Sequence, residues 1–176
     1  ATGTKDATTF LRGDNTFDVP PLGGITMADN WRLNADDATD AAETDLDTGW
    51  ERVDTTGQGT LGSAMTQSSG IFTFPSTGIY LVQFQIWYIM SGGASNARAW
   101  IKHFNGSSTY TTLVSVENYQ IQNQTTTLYV STLFDCQATA TDKVVFYGGS
   151  ATNGQVIAGS SAENRTATTF IRLGDT

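Results

Sequence analysis

The stretch GIFTFPSTGIYLVQFQIWYIM, residues 70–90, carries a clear two-residue alternation over its second half. From residue 80 onward, every second side chain is apolar or aromatic: Tyr80, Val82, Phe84, Ile86, Tyr88 and Met90. Because successive side chains of a β-strand point to opposite faces, this period predicts one long strand with one face in a hydrophobic core. We expect Tyr80, Phe84 and Tyr88 to fill that core.

The other face of the same strand mixes polar and apolar side chains, among them Gln83, Gln85 and Trp87. Such a face is too apolar for open water and too polar for a sealed interior, as is usual at protein–protein contacts. We therefore expect these three residues to lie against neighbouring subunits, where assembly would satisfy the two amides.

Further strand candidates follow at short spacing. They are residues 98–104, 111–116, 126–134, 143–147 and 168–173, with weaker ones at 24–33 and 50–54. The predicted turns between them are Ser91-Gly92-Gly93, Asn105-Gly106, Gly148-Gly149 and Asn153-Gly154, which tolerate positive φ. Roughly eight to ten short strands are the number expected for an all-β, two-sheet jelly-roll sandwich.

The composition excludes several classes of function. The 176-residue chain suits one domain, and its net charge of -8, from 17 acidic and 9 basic residues, would repel a phosphate backbone. We therefore expect no nucleic-acid partner. No apolar run reaches the roughly 20 residues that a membrane helix needs, so we expect no membrane insertion.

The residues that usually carry catalysis are scarce. His103 is the single histidine and shares a predicted strand face with Ala99 and Ile101, whereas Cys136, the single cysteine, follows Leu133 and Phe134. We expect a structural histidine and a small buried thiol, with no catalytic residue and no cofactor. A glycan hydrolase using two of the acidic residues is the less favoured alternative.

Nine of the seventeen acidic residues lie between positions 29 and 54. Asp45 and Asp47 are weak metal candidates, because the segment lacks a spaced third ligand and a closing Glu; a solvated acidic loop is favoured. Trp31 and Trp50 lie near the two ends of this segment, and with Tyr110 they are candidates for surface recognition, although burial in the core is favoured for each of them.

Residues 70–84, GIFTFPSTGIYLVQF, resemble the central motif of the tumour-necrosis-factor-like (TNF-like) family, which includes the globular heads of complement and collagen-like proteins. The resemblance implies a TNF-like jelly roll over residues 25–176 that assembles as a homotrimer. It also implies an alternative function, a secreted recognition domain that binds a receptor. The final strand departs from the family pattern at Arg172, which near a trimer axis would need a partner.

Residues 3–17, GTKDATTFLRGDNTF, are similar to a segment that recurs in bacteriophage tail-fibre and other virion proteins, immediately before a C-terminal globular domain. This similarity implies an extended N-terminal arm, residues 1–24, that joins other virion proteins. Arg12-Gly13-Asp14 spells the integrin tripeptide, but within this segment a Gly-centred turn is the simpler interpretation.

Together the two resemblances favour a non-enzymatic bacteriophage structural protein, a trimeric fibre tip, head fibre or capsid decoration on the exterior of the virion. Its outer loops would contact a host-surface glycan or protein, or would only stabilise a capsid lattice. The chain begins without an initiating Met or a charged-then-apolar leader, so we expect a processed chain or a segment of a longer one.

Overall fold

A computed structural model of the chain describes residues 1–18, 24–39, 43–90, 95–120, 123–150 and 155–176. Within these ranges the regular elements are antiparallel β-strands, which form two large sheets and a separate hairpin. The predicted all-β, two-sheet sandwich is therefore confirmed. None of the described residues forms a helix that could span a lipid bilayer.

In chain order the strands are β1 (Phe10–Leu11), β2 (Phe17–Asp18), β3 (Met27–Leu33), β4 (Asp37–Thr39), β5 (Thr44–Asp45), β6 (Trp50–Arg52), β7 (Thr66–Ser68), β8 (Ile71–Thr73), β9 (Gly78–Met90), β10 (Ser95–Phe104), β11 (Tyr110–Gln120), β12 (Thr125–Cys136), β13 (Lys143–Ser150), β14 (Gln155–Ile157) and β15 (Ala167–Gly174). The strands predicted at 98–104, 111–116, 126–134, 143–147 and 168–173 correspond to β10, β11, β12, β13 and β15.

The long strand β9 is the centre of a seven-stranded sheet. On one side it pairs with β12 through twelve consecutive residue pairs, and on the other side it pairs with β14 and β15. β15 continues to β3 and β6, and β14 continues to β4. The opposing six-stranded sheet has the order β11-β10-β13-β8-β7, with β5 also on β13.

The core between the two sheets is rich in aromatic rings. Phe72 of β8 lies at its centre, with ring centroids 5.2 Å from Trp50, 5.3 Å from Phe146 and 5.3 Å from Phe170. The contacts with Trp50 and Phe146 are edge-to-face, an arrangement that adds to the stabilisation that comes from removing the rings from water. The predicted core residues Tyr80, Phe84 and Tyr88 are fully buried, as expected.

Two glycines set the path of the chain through the 70–84 motif. Gly70 has φ +71°, and a Cβ at this position would lie 2.4 Å from the Leu46 carbonyl oxygen. Gly78 has φ +145°, and its Cβ would lie 2.5 Å from the Gly174 carbonyl oxygen. Only glycine combines this backbone conformation with such close approaches, so the motif depends on glycine at its first residue and at the start of β9.

The predicted turns have different outcomes. Asn105-Gly106 is a turn, with Gly106 at φ +78°. The prediction at Gly148-Gly149 is wrong, because both residues lie inside β13. A Cβ on Gly148 would lie 2.7 Å from the Tyr88 hydroxyl, so this glycine makes room for a side chain of the other sheet. The turns at 91–93 and 153–154 lie outside the described residues.

Acidic residues of the 29–54 segment anchor strand β3. The fully buried carboxylate of Asp29 accepts hydrogen bonds from the Asn30 and Met65 backbone N–H groups, the Trp31 indole and Arg52 Nε, at 2.9 to 3.2 Å. On the other side of β3, the buried guanidinium of Arg32 pairs with Glu51 at 2.7 Å and Asp54 at 2.8 Å. These contacts fix β3 against β6, so the segment is not simply a solvated loop.

Residues 1–18 form a small hairpin rather than a fully extended arm. β1 pairs with β2, and the Arg12-Gly13-Asp14 sequence lies in the turn between them. Asn15, rather than Gly13, adopts the positive φ of 64°. Arg12 Nη1 lies 2.9 Å from Asp18 Oδ2, so the guanidinium is engaged within the hairpin. The predicted boundary at residue 24 stays a prediction, and residues 19–23 lie outside the described part of the chain.

Candidate assembly face

The alternation of β9 separates two chemically different faces. Tyr80, Val82, Phe84, Ile86 and Tyr88 are buried between the sheets, whereas Gln83, Gln85 and Trp87 are half-buried on the opposite face. This outward face of the seven-stranded sheet is the site to which the sequence assigned contacts between subunits. The assignment of those three residues to a trimer interface stays a prediction.

Strand register places further apolar side chains around the β9 positions. Leu81 lies opposite Leu133 of β12 on one side and Ile171 of β15 on the other. Gln85 lies opposite Tyr129. The side chains of Tyr129 and Leu133 are 53% and 65% exposed, which is high for residues of their size in a regular strand. We call this surface the candidate assembly face; its residues are Leu81, Gln83, Gln85, Tyr129, Leu133, Thr169 and Ile171.

The polar groups of this face are partly satisfied within one chain. Gln83 Nε2 donates to the Tyr129 hydroxyl, and Gln85 Nε2 donates to the carbonyl oxygens of Asn164 at 2.7 Å and Arg165 at 2.9 Å. We expected assembly to satisfy both amides, and for these N–H groups that expectation is wrong. The segment that precedes β15 folds over β9 and supplies the acceptors for Gln85 itself.

Trp87 lies beside the same segment. The Arg165 guanidinium carbon is 5.2 Å from the centre of the indole, close enough for a cation–π contact, and the Trp87 backbone N–H donates to Thr166 Oγ1 at 3.1 Å. Trp87 is therefore partly covered by its own chain. The more exposed side chains of the face are Tyr129 and Leu133, which the sequence analysis did not select.

A shallow cavity of about 290 Å³ opens on the candidate assembly face. Its lining includes Asn30, Gln83, Gln85, Tyr129, Asn164 and Thr169. Thr169 Oγ1 donates to Asn30 Oδ1 at 2.7 Å, so the floor of the cavity carries an ordered polar contact. This arrangement can receive a polar side chain through hydrogen bonds while the surrounding leucines and isoleucines supply apolar contact.

The three aromatic residues proposed for surface recognition are in different environments. Trp50 is a core residue with 9% exposure, and Trp31 packs against the core with its indole N–H on Asp29. For these two the favoured alternative, packing against the core, applies, because the short β6 strand and the β3 strand turn them toward Phe72. Tyr110 is 43% exposed at the start of β11, stacked on Phe104.

The histidine and the cysteine each contact Asp142. His103 Nε2 lies 3.3 Å from Asp142 Oδ1, and Cys136 Sγ lies 3.9 Å from the Asp142 carbonyl oxygen. Burial raises the pKa of the Cys136 thiol to about 11, and the nearby Asp142 and Asp135 carboxylates add to this effect. A thiol that stays protonated at neutral pH is a poor nucleophile.

The two weak metal candidates lie apart from any larger ligand set. Asp45 is in β5, where its Oδ2 lies 3.4 Å from the Tyr147 hydroxyl, whereas Asp47 is exposed. Burial raises the pKa of Asp45, and the charge of Asp47 contributes to the shift. Within the ranges that the structure covers, no group of three or more His, Cys, Asp or Glu side chains could hold a metal ion.

Arg172 has its partners within the chain. Its Nε donates to the Thr77 carbonyl oxygen at 3.1 Å, and its Nη2 contacts the Asp175 carboxylate. The partner that a strand arginine near an axis would need is therefore supplied by its own protomer.

Comparison with known proteins identifies the fold of the chain but assigns it to no family. Neither the protein-family models nor the curated proteins give a match. Among solved structures, Eiger TNF from S. frugiperda has a TM-score of 0.64 at 17% identity, covering 87% of this chain and 96% of that one. Murine APRIL at pH 5.0 has a TM-score of 0.61 at 14% identity, covering 84% and 98%. Neither comes from a bacteriophage, and at these identities the likeness establishes a TNF-like jelly-roll fold.

Proposed function

We propose that the chain is a non-enzymatic recognition domain that works as a homotrimer, with the candidate assembly face buried between copies. The observation that carries this proposal is the position of Tyr129 and Leu133. Both lie on the side of the sheet away from the core, Leu133 opposite Leu81 and Tyr129 opposite Gln85, so a lone subunit leaves a mixed apolar strip in water. A closed three-fold arrangement would remove it.

The partner best supported is a receptor bound by the outer surface of the trimer. The support is the extent of the fold likeness, since the chain covers nearly all of the Eiger TNF and APRIL structures. Three of the acidic residues that a hydrolase could use, Asp29, Glu51 and Asp54, are engaged by arginines. This favours recognition over hydrolysis.

Light scattering on the purified chain tests the assembly. We expect a particle with about three times the 18.8 kDa chain mass at micromolar concentration. A well-folded monomer that persists when the concentration is raised a hundredfold would overturn the proposal, because Leu133 and Tyr129 would then be stable in water.

A second candidate rests on a separate observation, the sequence of residues 3–17. In this alternative the domain is displayed on the exterior of a bacteriophage particle, and the N-terminal hairpin contacts other virion proteins. Immunogold labelling of purified particles tests it: gold at the particle surface supports the virion role and shows whether the label lies on capsid or tail. Unlabelled particles that react in control blots for other virion proteins would refute it.

A further inference from the structure

A row of outward-facing side chains on β10 and β11 combines two aromatic rings with a polar centre. Ala97 and Ala99 of β10 are fully buried, so the residues between and beside them face away from the core. The cross-strand pairs, from one end to the other, are Asn96 with Tyr119, Arg98 with Glu117, and Trp100 with Ser115. We call these six residues the β10–β11 patch.

The centre of the patch is polar but carries no net charge. Arg98 Nε lies 2.6 Å from Glu117 Oε2, and Asn96 Nδ2 contacts the other carboxylate oxygen. The guanidinium has five N–H donors, the carboxylate several lone pairs and the amide one acceptor oxygen, so donors and acceptors stand side by side. A ligand that offers neighbouring hydroxyl groups can use both kinds.

The two ends of the patch are aromatic. Tyr119 is 67% exposed, and Trp100 forms a wall of a cavity of about 180 Å³ whose other lining residues include Arg98, Ser115 and Glu117. The four-residue offset between the two rings corresponds to about 13 Å along the strand. On the edge of β10 that pairs with β13, Arg98 lies opposite Gly149, which has no side chain to fill the cavity.

We propose that the β10–β11 patch binds a neutral oligosaccharide, with sugar rings packed on Trp100 and Tyr119 and hydroxyl groups bonded to Arg98 and Glu117. The C–H face of a pyranose ring is apolar and packs against an aromatic face, while its hydroxyls both donate and accept. A polyanion would gain little from an arginine already paired with a carboxylate. A protein partner would bury the charged centre, which protein interfaces usually avoid.

This inference deepens the proposed recognition role and rests on it, because recognition needs a face that assembly leaves free. The six-stranded sheet lies on the opposite side of the core from the candidate assembly face. The β10–β11 patch would therefore point outward from a trimer built as proposed above.

Titration with defined sugars tests the inference. The purified chain is titrated with cellotetraose, maltotetraose and chitotetraose, and with a heparin tetrasaccharide as the anionic counterpart, following tryptophan fluorescence and calorimetric heat. We expect saturable binding of at least one neutral sugar. Tyr119→Ala, at a side chain exposed enough to leave the fold intact, should weaken it about tenfold. Glu117→Gln should also weaken it, whereas Tyr110→Ala, on the same strand outside the patch, should not.

Three results would overturn the inference: no neutral sugar binds, the heparin fragment binds best, or the Tyr119 and Glu117 variants bind like the unaltered chain. Light scattering on the same samples separates it from the assembly proposal. A trimer that binds no sugar overturns the oligosaccharide site alone, whereas a monomer that binds sugar overturns only the trimer.

Discussion

Leu133 of β12 lies directly opposite Leu81 of β9 on the outward side of the seven-stranded sheet. Cross-strand neighbours of this kind are close enough for their side chains to touch. Two adjacent leucines on the side away from the core give the candidate assembly face its apolar centre, and they are the most direct place to test it.

Leu133→Asp should convert the trimer to a monomer without unfolding it. The substitution would place a charge from each copy in a contact that excludes water, and the charges cannot be solvated there. Size-exclusion chromatography with light scattering measures the mass, and circular dichroism checks the sheet content. Leu113→Asp, at an exposed leucine of β11, is the control and should leave the trimer intact. A trimeric Leu133→Asp protein would count against the assembly face.

Asp29→Asn should lower the free energy of unfolding by about 3 kcal/mol, because the new amide turns an N–H group toward donors that now bond a buried carboxylate. Urea unfolding followed by tryptophan fluorescence measures the change. The control is Asp47→Asn, at an exposed carboxylate of the same acidic segment, which should change stability by less than about 0.5 kcal/mol. Equal effects of the two substitutions would show that Asp29 does not anchor β3.

Gly70→Ala should destabilise the fold by more than about 1 kcal/mol, since alanine is strained at φ +71° and its Cβ would meet the backbone of Leu46 and Asp47. Gly59→Ala is the matched control, because nothing lies within 4 Å of the added methyl group. Thermal unfolding compares the two proteins. Similar melting temperatures for both would mean that the 70–84 motif tolerates a different path.

Cys136 should react slowly with thiol reagents at pH 8 in the folded protein and quickly after unfolding, because burial raises its pKa to about 11. The same shift has a consequence for stability. The unfolded chain loses the thiol proton near pH 9, before the folded chain does, so stability should fall as the pH rises from about 9 to 11. Urea titrations across this range measure it, and Cys136→Ser should lack this part of the decline. Fast labelling of the native thiol would contradict the assigned burial.

The sequence predicted what local periodicity encodes. The alternation in β9 identified both faces of the central strand, and the 70–84 motif indicated the jelly roll. The sequence did not reveal contacts between distant segments, such as the hydrogen bonds from Gln85 to the carbonyl oxygens of Asn164 and Arg165, about eighty residues away. Trp50 begins one of the weaker strand candidates, and the strand that forms is only three residues long, too short for its periodicity to show which side the indole faces.

Glycine was the other source of error. Gly148-Gly149 has the composition of a turn, yet its backbone continues a strand and the missing side chain admits Tyr88. A single sequence does not distinguish a glycine that bends the chain from one that makes space, because the deciding atoms belong to another sheet. The β10–β11 patch was overlooked for a related reason, since its residues become neighbours only through strand pairing.

The alternation of buried and outward-facing side chains along β9 has an evolutionary consequence. Because adjacent residues of this strand face opposite sides of the sheet, substitutions at its odd-numbered positions would alter the proposed assembly face while leaving the aromatic interior untouched. Variation at Leu81 or Gln83 could therefore change partner choice in small steps. Variation at Tyr80 or Phe84 would instead be limited by foldability.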